Sequence, residues 1–167
     1  MDGNLSVRPI FYIMMKRKVK IKIFATIRRG EDDDAEKDNI RMTGNGMMTL
    51  NRQGRIEIRY DEITGDDGPA INTLSFDVED SGVITLVREG IVSSVMTFSE
   101  NKRYGGNYHA DFAAFEFTVA TKRVSNTVTF EKGGQIILDY NTEIQGVALQ
   151  SSCFRFDIAC IGHAYEE

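Results

Sequence analysis

The chain has 167 residues, 41% of them hydrophobic and 27% charged, which fits one globular domain with a substantial core and leaves no room for a second. Its formal net charge of -5 argues against a general nucleic-acid binder, whose footprint is a basic excess. Nucleic acid is therefore not an expected partner, and neither is a membrane. The apolar run from Ile10 to Met15 is far shorter than the roughly 20 residues that a spanning helix needs.

Residues 1–15 read as an N-terminal extension, residues 16–161 as a single β-domain and residues 162–167 as a C-terminal tail. Lys18 to Ile27 alternates strictly, with Val19, Ile21, Ile23, Ala25 and Ile27 on one face and Lys18, Lys20, Lys22 and Thr26 on the other. That is a half-buried strand with a wet, basic outside. The acidic run from Glu31 to Asp38 repels itself and reads as a mobile loop. It keeps only fragments of a calcium-loop pattern, so no metal is expected there.

Ile40, Met42, Met48 and Leu50 alternate next, with Gly44 and Gly46 on the same face between them. Inner-face glycines mark a sharp bend or the close approach of another group. Ile56, Ile58 and Tyr60 make the return strand, Asp61 to Ala70 a polar loop, and Leu74, Phe76 and Val78 the strand after it. Gly82 to Phe98 reads as a hairpin turning at Glu89 and Gly90, with Arg88 on the apolar parity of Ile84 and Leu86. An unpaired guanidinium is costly to bury, so Arg88 must reach water, a protein carboxylate or an acidic ligand. The stretch from Arg103 to His109 reads as irregular, aromatic and glycine-broken.

The last third carries the clearest alternation. Phe115, Phe117 and Val119, then Leu138 and Tyr140, then Phe154, Phe156 and Ile158 define three apolar faces, opposite Glu116, Thr118, Asp139, Arg155 and Asp157. Each segment is longer than an ordinary strand of about five or six residues, which points to a curved antiparallel meander. Cys153 and Cys160 fall on opposite faces of one such strand, about 23 Å apart at about 3.3 Å per residue, and cannot bridge. Two cysteines without framework spacing fit a reducing, cytoplasmic setting. Helical spacing is absent, and about ten strands joined by hairpins fit an all-β, up-and-down antiparallel barrel.

The run Gly82-Val-Ile-Thr-Leu-Val-Arg88-Glu-Gly90-Ile-Val-Ser-Ser-Val-Met-Thr-Phe98, followed by Arg103, Tyr108 and the Phe115–Thr121 strand, resembles the YwiB-like family of small bacterial proteins, whose biochemical function is undefined. The resemblance spans Lys18 to Ile161. Where that family reads Thr-Pro after the tyrosine, this chain has His109-Ala110-Asp111, a departure that bears on the turn and not on the strands. The resemblance implies a calycin, lipocalin-like meander barrel, a fold that commonly encloses a small apolar or amphipathic molecule.

On that reading the protein is a non-enzymatic binder with its ligand inside the barrel, Arg88 as anion anchor and Tyr108, Tyr140 and Arg103 as further ligand-binding candidates. The alternative is a packed barrel acting through its outer surface as a protein or nucleic-acid interaction module. Catalytic and metal motifs are absent, His109 has no partner for a catalytic pair, and no cofactor is expected.

Overall fold

Period-two alternation becomes pleated sheet because each apolar face can leave water only by meeting another. The computed structural model describes residues 11–30, 35–62 and 68–166. Within them lie β1 (Met15–Arg29), β2 (Glu36–Leu50), β3 (Arg55–Glu62), β4 (Ala70–Asp77), β5 (Asp80–Gly90), β6 (Ser93–Phe98), β7 (Arg103–Ala110), β8 (Ala113–Asn126), β9 (Gly134–Ile144) and β10 (Val147–Glu166). Every strand pairs antiparallel with its sequence neighbours, and β1 pairs with β10 to close the barrel. Closure leaves no free sheet edge.

Inward positions stack into rows across the strands. Met48, Ile58, Leu74, Leu86 and Met96 stand opposite one another in succession. Phe76, Phe98, Phe156, Ile136 and Leu138 are almost completely buried among them. The register read for the last third holds at Phe117, Val119, Leu138, Tyr140, Phe156 and Ile158, all buried. Phe115 departs from it and is 45% exposed. Strands tilt against a barrel axis, so a row of paired residues climbs as it runs round the wall. The row through Val19, Gly46, Tyr60, Asn72, Arg88, Ser94 and Tyr108 starts in the core and leaves it at Phe115.

The end that carries the β5–β6, β7–β8 and β9–β10 turns is called the upper end. The lower end is stopped by the connection between β8 and β9, which sinks Val128 and Phe130 into the core. Arg17 holds this plug: Nη1 donates to the carbonyls of Phe130 at 3.1 Å and Glu131 at 3.0 Å, and Nη2 to that of Gly162 at 3.0 Å. Gly133, at φ 71°, lies so close to the Ile158 carbonyl that a side chain there would collide with backbone.

Several expectations are corrected. Residues of the presumed extension join the fold, since Tyr12 donates its N–H to the Arg52 carbonyl at 2.9 Å, and Tyr12 and Met15 pack on the core. The presumed tail at 162–166 is the end of β10, with Glu166 opposite Met15. Of the acidic run, Glu36 to Asp38 begin β2, and Asp38 pairs with Arg29 at 2.7 Å; residues 31–34 lie outside the described residues. Asp61 and Glu62 extend β3, and 63–67 also lie outside the described residues. The β5–β6 turn sits at Ile91 and Val92, beyond Glu89 and Gly90, and Arg103–Ala110 is a regular strand. Long-range pairing supplies ladder partners that local glycine content gave no reason to expect.

Candidate functional site

The fold places Arg88 on the inner face at the upper end and gives it a partner from the chain itself. Nη1 donates to Glu62 Oε2 at 2.7 Å and Nε to the Val92 carbonyl at 3.3 Å, while Asn72 Nδ2 donates to the same Glu62 oxygen at 3.0 Å. The Arg88 and Glu62 side chains are 20% and 15% exposed. Asn72 and Arg88 stand opposite each other on β4 and β5, and Tyr60 stands opposite Asn72 on β3. Burial, with the Glu62 carboxylate adding to it, pushes the Tyr60 phenol far above its ordinary value, against the opposing effect of Arg88. The cluster is a neutral, internally satisfied pair, and an anion reaching Arg88 would have to displace Glu62.

The other ligand-binding candidates do not gather round Arg88. Tyr108 comes nearest, one row-step beyond Ser94, and its ring stacks on Phe115 with centroids 4.7 Å apart. Tyr140 is buried deeper, edge-on to Phe98 at 4.8 Å. Arg103 points outward and is held by Glu143, with Nε and Nη2 each 3.3 Å from a carboxylate oxygen. Parity decides this: Arg103 shares the outer face of β7 with Asn107, whereas Tyr108 faces in.

Tyr140 makes a pH prediction. Burial raises its phenol from 10.0 to about 12, partly offset by a hydrogen bond to Ser152. A group whose folded value is raised contributes its stability in full below the unfolded value and loses it as pH climbs through the folded one. Stability should therefore fall by roughly 1.4 kcal/mol per pH unit from Tyr140 between about pH 10 and pH 12. Urea unfolding across that window should show the fall in the native protein and a flatter curve in Tyr140→Phe; parallel curves would refute the assignment.

The outer wall presents a different arrangement. Lys18, Lys20 and Lys22 are exposed along β1 and make no ion pair among the described residues. Phe24 continues their line, flanked by Arg41 of β2 and Arg155 of β10, its two cross-strand neighbours. The Arg155 guanidinium carbon lies 4.2 Å from the Phe24 ring centroid and that of Arg41 5.8 Å. Beside Lys18 a groove of about 540 Å³ opens between β10, β1, β2 and β3, with Asn45, Met47, Arg59, Asp61 and Ile161 on its walls and Gly46 in its floor. A Cβ on Gly46 would stand 2.5 Å from the Arg59 carbonyl and 2.9 Å from Ile21 Cδ1, so this glycine marks the close approach that the sequence suggested. The lysine row is legible from parity. Its company with Arg155 is not, because β10 comes beside β1 only on closure, and the pairing of Arg41 with Phe24 and of Arg59 with Met47 depends on a register that the whole wall sets.

The model of the family DUF1934, described as a domain of unknown function, matches residues 21–155. The chain belongs to that family. Among solved structures, the YwiB protein of Bacillus subtilis is similar to this DUF1934 barrel with a TM-score of 0.68 at 18% identity, over 85% of this chain and 92% of that one. That likeness establishes the shared fold, and with the family match it supports the YwiB-like resemblance carried by Gly82 to Phe98. No curated protein matches the chain. Among the described residues of this DUF1934 member, no helix is long and apolar enough to cross a membrane.

Proposed function

We propose that this DUF1934 member is a non-enzymatic binding module that takes an anionic partner on the basic outer face of its barrel. The observation that carries the reading is the exposed row of Lys18, Lys20 and Lys22, which makes no ion pair among the described residues and leads into the groove beside Gly46. A chain of net charge -5 that keeps these cations together on one wall has a dipolar surface, and local potential, not net charge, steers an anion. The interior supports the same reading, because Phe76, Phe98, Phe156 and their neighbours fill the space a lumenal ligand would need.

Retention on immobilised heparin, a generic polyanion, tests it. The native protein should be held at about 0.15 M salt, and Lys18→Glu/Lys20→Glu/Lys22→Glu should pass through, because exposed charge pairs act within a Debye length of about 8 Å. Equal elution of the two proteins would overturn the proposal.

A second reading keeps a small apolar or amphipathic molecule with the barrel, but at its lower mouth. It rests on a cavity of about 370 Å³ lined by Tyr12, Leu50, Ile56, Phe76, Val128 and Phe130, within the size range of small-molecule sites. Arg88 is at the opposite end and would not anchor such a ligand. Native mass spectrometry of protein purified from its source should then show a bound molecule that survives Arg88→Ala; unliganded protein in both would remove this reading.

A further inference from the structure

Resting on the outer-face reading, we infer that the anionic partner is a single-stranded nucleic acid, whose backbone follows the lysine row of β1 and one of whose bases stacks on the Arg155–Phe24–Arg41 platform. The charge comes first. Alternate residues of a strand are roughly 6.6 Å apart at about 3.3 Å per residue, so Lys18, Lys20 and Lys22 offer cations at a step comparable to that between successive phosphates of an extended nucleic-acid strand. The flanking carboxylate, Asp157, stands opposite Lys22 but is engaged elsewhere, accepting from Gln135 Nε2 at 2.8 Å and lying 3.4 Å from Arg155 Nη2. Asp61 lies on the far wall of the groove.

Stacking separates nucleic acid from other polyanions. A heparin-like chain needs cations only, whereas unpaired bases add a π-face that aromatic rings and guanidinium planes bind, the two devices that sequence-tolerant single-strand binders combine. The Arg155 guanidinium lies over Phe24 at 4.2 Å, and its side chain is 44% exposed, so solvent reaches part of the platform. Phe24 follows Lys22 on the same outer parity, which puts the platform at the end of the cation row and not across the barrel from it. From Lys18 to Phe24 is about 20 Å of strand, room for roughly four nucleotides, at the small end of single-strand site sizes. A duplex would bring phosphates to the lysines but keep its base faces stacked internally, leaving the platform unused.

Fluorescence anisotropy with a labelled mixed-sequence single-stranded DNA, the matching duplex and labelled heparin decides the matter. Single strand should bind tightest, with a slope of log K against log salt that falls by roughly 2 when Lys18, Lys20 and Lys22 are all changed to Gln. Phe24→Leu should weaken single-strand binding about tenfold while leaving heparin unchanged. Arg155→Lys, which keeps the charge and loses the plane, should act in the same direction, and circular dichroism should show both variants folded. If heparin, duplex and single strand bind alike and Phe24→Leu affects none of them, the nucleic-acid inference falls and the anionic outer face survives. If none of the three binds, or the lysine changes alter nothing, both fall.

Discussion

Phe98→Ala should lower stability by about 3 to 5 kcal/mol, the range for truncating a buried phenylalanine. Phe98 is completely buried on β6, the shortest strand of the barrel at 6 residues, and its ring meets Tyr140 edge-on at 4.8 Å. The loss combines the transfer energy of the ring, the cavity left among neighbours that other strands fix in place, and an aromatic contact worth about 1 kcal/mol. Domains of this kind are stable by only about 5 to 15 kcal/mol in total, so the variant should unfold at a much lower urea concentration with an unchanged m-value. Phe115, 45% exposed at the upper rim, is the control, and its change to Ala should cost about 1 kcal/mol or less. Equal costs at the two positions would mean that the inner row does not climb out of the core as described.

Arg88→Ala should cost about 2 to 3 kcal/mol, less than a fully buried ion pair because the two side chains are 20% and 15% exposed and solvent screens part of the interaction. The loss arises chiefly at Glu62, which keeps the Asn72 amide but loses the cation that makes its burial tolerable. Glu62→Gln should cost less, about 1 kcal/mol, since its carbonyl oxygen still accepts from Arg88 and Asn72. The double variant Arg88→Met/Glu62→Gln should lie close to the native protein, because removing both charges removes the desolvation penalty with the attraction. Urea unfolding of the native protein, Arg88→Met, Glu62→Gln and Arg88→Met/Glu62→Gln forms a double-mutant cycle. Simple additivity would show that the 2.7 Å contact contributes nothing and would return Arg88 to consideration as a free anchor.

These two residues show how far local pattern reaches. Phe98 was legible as inward from its parity with Met96 alone, and the sign of the prediction needs nothing more. Arg88 was legible as an inward cation in need of a partner, but Glu62 is 26 residues away at the end of a strand expected to stop at Tyr60. No local rule chooses a carboxylate of the chain over one from a ligand. Arg103 and Tyr108 differ for another reason: both were candidates on the barrel reading, and once Arg103–Ala110 is a regular strand its two-residue period sends them to opposite sides of the wall.

Alternation and turn chemistry are local, and strands joined by short turns pair with their neighbours, so the secondary structure of most segments, the inner and outer face of each and the meander order are legible from the chain alone. The same parity puts Lys18, Lys20 and Lys22 on one solvated face. Only the closed barrel brings β1 against β10, sets residues 127–133 across the lower end under the hold of Arg17, and makes Arg155 and Arg41 meet over Phe24. Closure and tilt join residues more than a hundred positions apart, and the stagger between strands is set by packing of the whole inner wall, to which no single segment of the chain holds the key.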